Sequence, residues 1–256
     1  MKTPLSYRKN IPIYCYKTAT DYQKDPYERF DSMVVRQAAL HLADDWWGGY
    51  SMQAVLDFAT PHYPKAPQQI AEIGCGIGRW IATLAQNHPQ ATCWGIDYSY
   101  QMLRQAQEFW VQGKELVLDL SHKGFAPNLT LKEPPLSNLS LGLAKASQLP
   151  FADNSQDLLL NSFLLDRLQD PAQGLLEMQR VLRPNGTLIF ITPLNFDQAT
   201  HWEQFYPPIK LQTYLHQIGF EVVEWQEDLM IQEQLDGHGN VLTWKCLGVV
   251  AVKQGS

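Results

Sequence analysis

Glycine stands at every second position from residue 74 to residue 78, and an aspartate, Asp97, follows nineteen positions after Gly78. Glycines at this spacing let backbone N–H groups come close to a ligand, because no side chain blocks the approach and positive φ angles are open to them. A carboxylate at the end of the next strand can accept hydrogen bonds from both hydroxyls of a ribose. Gly74, Gly76, Gly78 and Asp97 therefore predict a site for a ligand that contains a nucleoside.

The segments around these residues are predicted to alternate between strand and helix. Residues 68–73, Gln-Gln-Ile-Ala-Glu-Ile, are predicted to form a buried strand that ends at Gly74, and a second strand, at about 91–96, ends at Asp97. Apolar residues recur at helical spacing after each of these strands. Further elements are predicted as strands at 139–144, 157–160 and 187–192 and a helix at 171–182. Repeated β-α units predict a doubly wound α/β fold, a three-layer α/β/α arrangement with a mostly parallel sheet.

Two segments fall outside this alternation. Residues 1–60 are predicted to form a helical and aromatic leader that packs on or over the site, and residues 61–256 the main domain. That domain is interrupted by an insertion at about 112–138, which is either a functional lid or a surface excursion. Residues 220–225 and 241–252 are strand-like and predict an antiparallel hairpin at the sheet edge.

Composition narrows the possible functions. The formal net charge is −6 and Lys and Arg form no dense cluster, so nucleic acid is not an expected partner. The four cysteines include no C-x-x-C pair, which fits neither a zinc site nor a secreted disulfide framework. We therefore expect no metal and a cytoplasmic location. No apolar run approaches the roughly 20 residues of a membrane span, so no membrane partner is expected.

The glycine spacing distinguishes between two kinds of adenosine cofactor. The dinucleotide pattern G-x-G-x-x-G, counted from Gly74, would require glycine at position 79, where this chain has Arg79. Arg79 would put a large cation where the helix must pack closely on the strand. A nicotinamide-dependent oxidoreductase is therefore an alternative that Arg79 argues against.

Four segments, in this order, resemble the class I S-adenosylmethionine-dependent methyltransferases: Ala71-Glu-Ile-Gly-Cys-Gly-Ile-Gly78, Gly95-Ile-Asp-Tyr-Ser99, Leu149-Pro-Phe-Ala-Asp153 and Arg180-Val-Leu-Arg-Pro-Asn-Gly186. The resemblance covers roughly residues 68–192 and is looser over 211–253. It implies a seven-stranded, Rossmann-like sheet with one antiparallel edge strand. It also implies that the chain binds S-adenosylmethionine, releases S-adenosylhomocysteine and is an enzyme that transfers the methyl group.

The resemblance further implies a set of cofactor-binding residues on these segments: Glu72, Gly74, Cys75, Gly76, Gly78, Asp97, Tyr98, Met102, Ala146 and Asn161. Within the set, Glu72 would face the methionyl end and Asp97 would hold the ribose. Tyr98 and Met102 would flank the adenine, and the glycines would line the backbone around the ligand.

The sequence departs from the family pattern at two places. Relatives usually carry an acidic residue before Ala146 that accepts from the adenine amino group, whereas this chain has Lys145, which has no acceptor atom. Many relatives also carry a histidine where Asp166 or Arg167 stands here. These departures keep open a second alternative, a catalytically silent module that binds the cofactor and regulates a partner.

The favoured function is methyl transfer to an O, N or C nucleophile of a small molecule by in-line displacement. Such a reaction mainly needs donor and acceptor to be aligned and water to be excluded. A general base is needed only for an acceptor that arrives protonated, and Asp166 and His201 are the candidates. The alternatives are a helix-cap or solvent-facing role for Asp166 and a surface loop for His201.

Aromatic residues are frequent in the first 50 positions, which hold nine of the chain's 29: Tyr7, Tyr14, Tyr16, Tyr22, Tyr27, Phe30, Trp46, Trp47 and Tyr50. Aromatic faces attract cations, so part of the leader could close over the sulfonium or an aromatic substrate. The alternative is that these side chains only pack the leader onto the domain.

Overall fold

The structure, a computed structural model, describes residues 1–44, 52–125 and 128–255. Nine of the strands within these ranges form one sheet and two form a small ribbon. The strands are β1 (Ser6–Arg8), β2 (Ile11–Ile13), β3 (Gln69–Ile73), β4 (Thr92–Asp97), β5 (Leu116–Leu118), β6 (Leu129–Leu131), β7 (Leu139–Leu143), β8 (Gln156–Ser162), β9 (Leu182–Thr192), β10 (Phe220–Gln234) and β11 (Val241–Lys253).

The main sheet has the strand order β1-β2-β7-β4-β3-β8-β9-β11-β10. The five adjacent pairs from β2 to β9 are parallel, whereas β11 runs antiparallel to both β9 and β10. The predicted doubly wound, mostly parallel α/β sheet is therefore confirmed. Seven of its strands lie side by side in the order β7-β4-β3-β8-β9-β11-β10, and β1 and β2 of the leader add two more at the β7 edge. The antiparallel strand β11 lies one place in from the edge, because β10 pairs with its outer side.

Helices cover both faces of this sheet. They are α1 (Ala19–Lys24), α2 (Pro26–Arg29), α3 (Asp31–Leu42), α4 (Gln53–Ala59), α5 (Arg79–Asn87), α6 (Tyr100–Ala106), α7 (Pro171–Val181), α8 (Ala199–Phe205) and α9 (Ile209–Gln217). α3 to α6 pack on one face, and α7 to α9 on the other, so two separate hydrophobic cores flank the sheet. Within the described ranges, no helix is both long and apolar enough to cross a membrane.

The helices that frame the site begin at recognisable signals. Asp170 caps α7 by accepting from the Gln173 N–H at 2.9 Å, and Pro171 occupies the first turn, where its missing N–H costs no helical hydrogen bond. Ser99 caps α6 by accepting from the Met102 N–H at 3.4 Å. The start of α6 is therefore held directly after Asp97, the last residue of β4.

Two strands differ from their predicted bounds for identifiable reasons. β9 begins at Leu182, which pairs with Gln156, and the ladder then resumes at Leu158 and Thr187, so residues 183–186 form a bulge inside the strand. β10 continues to Gln234, beyond the predicted end at 225. Its ladder with β11 shifts register twice, at 222/224 and at 226/229, which interrupts the alternation of buried and exposed residues.

The leader and the insertion both contribute strands that the sequence did not predict. β1 and β2 form a hairpin that adds to the edge of β7 through the pair Ile13 and Leu143. β5 and β6 form an antiparallel ribbon within the predicted insertion. The Gly237 N–H, in the turn between β10 and β11, donates to the Lys123 carbonyl at 2.8 Å, so this hairpin tip contacts the insertion.

Candidate functional site

The turn between β3 and α5 has the backbone geometry that its glycines predict. Gly74, Gly76 and Gly78 have φ values of +76°, +53° and +79°, in the left-handed region that L side chains rarely adopt. The Gly74 N–H donates to the Ile96 carbonyl at 2.7 Å, which ties the turn to the end of β4. The turn and the end of β4 therefore lie side by side at the carboxyl edge of the sheet, where α/β proteins bind ligands.

The glycines let neighbouring side chains approach the turn closely, because glycine has no side chain. A Cβ on Gly76 would lie 3.2 Å from the Met102 Cε, and one on Gly74 would lie 2.9 Å from the Leu164 Cδ1. Met102 and Leu164 thus approach the turn from α6 and from the segment after β8. Cys75 is buried, and burial raises the pKa of its thiol well above the usual value, so the thiol is not a nucleophile at neutral pH.

Asp97 joins the turn to the beginning of α6. Its Oδ2 accepts from the Gly76 N–H at 2.7 Å and its Oδ1 from the Ser99 N–H at 2.7 Å. Burial raises the pKa of the Asp97 carboxyl, while these two N–H donors oppose the rise. Each carboxylate oxygen has a second lone pair. Asp97 can therefore accept further hydrogen bonds from a ligand while it stays fixed by the backbone.

Glu72 lies beneath the turn, within β3, and is 3% exposed. Its Oε2 accepts from the Ile81 N–H at 2.9 Å, in the first turn of α5. Burial raises the pKa of Glu72 to about 8, the Ile81 N–H opposes the rise, and the nearby Asp97 charge adds to it. Glu72 is therefore protonated at neutral pH in the free protein.

The raised pKa of Glu72 makes a prediction about stability. Between pH 4.5 and about 8 the native Glu72 carboxyl keeps a proton that the unfolded chain loses. The free energy of unfolding therefore falls as pH rises through this range, and Glu72 contributes at most about 1.4 kcal/mol per pH unit to the fall. We expect Glu72→Gln to remove this contribution. Urea unfolding at pH 5, 6.5 and 8 should show the variant gaining on the wild type as pH increases. Parallel pH profiles for the two proteins would contradict the assignment.

Tyr98 connects the strand end to the leader. Its hydroxyl donates to the Asp21 Oδ2 at 2.8 Å, and two ammonium groups approach its ring, with Nζ of Lys17 at 4.6 Å and Nζ of Lys145 at 5.1 Å from the ring centroid. Ala146, which follows Lys145, is half-buried and packs against the core under α7. The predicted adenine-flanking residues Tyr98 and Met102 thus lie on either side of the beginning of α6.

A buried ion cluster holds the leader against this part of the site. The Nζ of Lys17 lies 2.6 Å from the Asp25 Oδ2 and 3.0 Å from the Glu28 Oε1, and the Lys17 side chain is 1% exposed. Glu28 also accepts from the Tyr100 N–H, in the first turn of α6. Sequence reasoning missed this cluster, although Thr18-x-x-Asp21 is a capping-box pattern that signals the start of α1.

Asn161, Asp166 and His201 occupy different surroundings. Asn161 is fully buried in β8, and its Nδ2 lies 3.3 Å from the Met178 Sδ in α7.

Asp166 follows β8 at the carboxyl end of the sheet. The Thr192 hydroxyl donates to its Oδ1 at 3.0 Å, and burial raises its pKa. His201 is buried in α8, away from the glycine turn in sequence and packed edge-on against Phe196. Neither candidate base is exposed to solvent.

The leader's aromatic residues divide by exposure. Tyr7, Tyr16, Tyr22 and Phe30 are exposed, whereas Trp46, Trp47 and Tyr50 lie outside the described residues. Tyr27 packs against the core of the domain, and both burial and the charge of Asp97 raise the pKa of its phenol. Among the residues that the structure describes, no group of three or more His, Cys, Asp or Glu side chains could hold a metal ion.

Known proteins resemble the part of the chain that carries this geometry. Residues 71–190 match the family model described as a methyltransferase domain. The chain is 33% identical over 146 residues to a trans-aconitate 2-methyltransferase of Deinococcus radiodurans, covering 57% of this chain and 45% of that protein. It is 31% identical over 123 residues to a demethylmenaquinone methyltransferase of Listeria innocua, covering 48% and 43%. The aligned segments thus span less than half the length of these relatives.

A solved structure extends the likeness to most of the fold. A SAM-dependent methyltransferase from Aquifex aeolicus superposes with a TM-score of 0.53 at 19% identity, over 88% of this chain and 99% of that one. At this level of identity the superposition supports the fold and not the substrate.

Proposed function

We propose that this chain is a class I S-adenosylmethionine-dependent methyltransferase that takes S-adenosylmethionine as its cofactor. It would transfer the methyl group to a small molecule by in-line displacement. The observation that carries the proposal is the contact between the glycine turn and Asp97. The Gly76 N–H, in a turn of positive φ, is bonded to a carboxylate that keeps acceptor capacity for a ribose.

The residues around the turn suit the parts of this cofactor. Asp97 would accept from the ribose hydroxyls, and Met102, which lies against Gly76, would contact the ligand beside the turn. Glu72 would take the ammonium of the methionyl portion, because the positive charge would stabilise its ionised form. When bound, S-adenosylmethionine supplies a methyl group that its positive sulfonium already activates. The chain's task is then to align the acceptor and exclude water.

The acceptor that we propose is a small molecule with an O, N or C nucleophile. Two relatives are named for acting on small molecules, trans-aconitate and demethylmenaquinone. The net charge of −6 supports the same class, since it would repel the phosphates of a nucleic acid. A cytoplasmic location is part of the proposal, and it is supported by four cysteines that are all free thiols.

The division of labour along the chain is also a proposal. We propose that residues 61–256 carry the reaction and that the leader, residues 1–60, covers the site. The cover is supported by the contacts of Lys17 and Glu28 with the strand end and the beginning of α6. For the insertion at about 112–138 we propose a surface excursion that packs on the hairpin of β10 and β11, where the Lys123 carbonyl accepts from the Gly237 N–H.

Asp166 is the group that we propose as general base for an acceptor that arrives protonated. It lies at the carboxyl end of β8, and burial raises its pKa, which makes its carboxylate a stronger base than an exposed aspartate. His201 is the weaker candidate, because its ring packs against Phe196.

A combined binding and turnover experiment tests the proposal. Calorimetry with S-adenosylmethionine and S-adenosylhomocysteine measures binding, and release of S-adenosylhomocysteine across a panel of metabolites measures turnover. We expect both. Binding without turnover on any acceptor would favour the silent regulatory module, and absence of binding would reject the proposal.

The same assay tests the base. We expect Asp166→Asn to lower turnover about 10²- to 10⁴-fold and to leave the affinity for S-adenosylhomocysteine unchanged, because a base acts only on the acceptor. His201→Asn is the matched control and is expected to retain turnover. If instead Asp166→Asn is fully active and His201→Asn is not, the two roles are reversed.

A further inference from the structure

We infer that Asp21, in the leader, is the acceptor for the exocyclic amino group of the cofactor's adenine, so that the leader completes the nucleoside site and makes it selective for that base. The inference rests on the proposed function, because it takes the ribose to lie at Asp97. No cofactor-binding role was expected of Asp21 from the sequence.

The Asp21 carboxylate is fixed through one oxygen and free at the other. Its Oδ2 accepts from the Thr18 N–H, the Thr18 hydroxyl and the Tyr98 hydroxyl, each at 2.8 Å. Its Oδ1 takes part in no hydrogen bond within the described part of the chain, and the side chain is 23% exposed. A carboxylate held in this way offers one oriented acceptor without any further loss of side-chain freedom.

The position of Asp21 follows from its bond to Tyr98. Tyr98 comes directly after Asp97, so a nucleoside whose ribose is bonded to Asp97 carries its base into the surroundings of the Tyr98 ring. Two leader side chains contact Tyr98: the Lys17 ammonium, which is occupied by two carboxylates, lies over the ring, and Asp21 accepts from the hydroxyl. Of these two groups, Asp21 is the one that retains a free acceptor.

The Asp21 carboxylate carries the charge that favours an amino group over a carbonyl. The adenine amino group is a hydrogen-bond donor, and Lys145, whose ammonium only donates, cannot accept from it. The Lys145 Nζ lies 3.9 Å from the Asp21 Oδ2, the oxygen that is already bonded, so Oδ1 is left as the acceptor. The Thr18 N–H and the Thr18 and Tyr98 hydroxyls lower the pKa of Asp21 to about 2, so the acceptor is charged at neutral pH.

The test compares two ligands that differ at this one group. S-adenosylhomocysteine carries the amino group, and its analogue with unsubstituted purine as the base has hydrogen at C6 instead. We expect the wild type to bind the adenine ligand about 10- to 100-fold more tightly by calorimetry, as is typical of a hydrogen bond to a charged acceptor. We expect Asp21→Asn to reduce or abolish this preference, because the charged acceptor is lost.

Gln23→Ala serves as the matched control, because it changes an exposed side chain of the same helix, α1, and leaves Asp21 and its three donors in place. It is expected to keep the preference for adenine. Equal binding of the two ligands by the wild type would overturn the inference without any variant, and so would an unchanged preference in Asp21→Asn. If neither ligand binds the wild type at all, the proposed function itself fails, which is a different outcome.

Discussion

Replacing Asp97 by alanine is expected to weaken binding of S-adenosylhomocysteine by about 2 to 4 kcal/mol, which is between about 30-fold and 1000-fold in Kd. The variant loses two hydrogen bonds from ribose hydroxyls to a charged acceptor. It also frees the N–H groups of Gly76 and Ser99, each of which lies 2.7 Å from a carboxylate oxygen of Asp97 in the native turn. Calorimetric titration measures the loss directly.

Two further variants separate the ligand contact from the turn. Asp97→Asn keeps one acceptor oxygen for the backbone and is expected to bind more weakly than the wild type but more tightly than the alanine variant. Asp228→Ala removes an exposed carboxylate from β10, far from the turn in sequence, and is expected to leave Kd unchanged. A loss below about 0.5 kcal/mol in Asp97→Ala would mean that the ribose is held elsewhere.

The glycine turn and Asp97 could be predicted because their signals are local. Each depends on residue type at fixed spacing: glycines where φ must be positive, and a carboxylate at the end of an apolar run. The strands β3, β4 and β7 were found within one residue of their bounds for the same reason. The register of neighbouring strands then brings Gly76 and Asp97 together without any further information from the sequence.

The contacts of the leader could not be predicted, because they join residues far apart in the chain. Tyr98 bonds to Asp21 across 77 positions, and the Tyr100 N–H bonds to Glu28 across 72. No periodicity marks such pairs. β2 has only three residues and pairs with β7 at one position, which is too short to produce a pattern of alternation. Only local features of this segment have sequence signals, namely the capping box at Thr18 that begins α1 and the proline in the first turn of α2, and neither indicates which distant residues the leader contacts.

Replacing Lys17 by methionine is expected to have the largest effect on stability, a loss of about 3 to 5 kcal/mol in the free energy of unfolding. The Lys17 ammonium lies between the Asp25 and Glu28 carboxylates, which are 15% and 4% exposed. Without it, two like charges are left close together and poorly solvated. Urea unfolding measures the total loss, and limited proteolysis shows whether residues 14–30 open before the rest of the chain.

Lys9→Met is the matched control in the same leader, because the Lys9 side chain is 62% exposed and lies 3.8 Å from Glu108. Surface pairs of this kind contribute about 0 to 1 kcal/mol, so a similar small loss in both variants would contradict a buried cluster at Lys17. The affinity of Lys17→Met for S-adenosylhomocysteine then separates the two roles of the leader. Weaker binding, with the leader opened, means that the leader covers the ligand. Unchanged binding with reduced stability means that the leader residues only pack against the domain. If the leader contacted the ligand, its release would weaken the binding of S-adenosylhomocysteine.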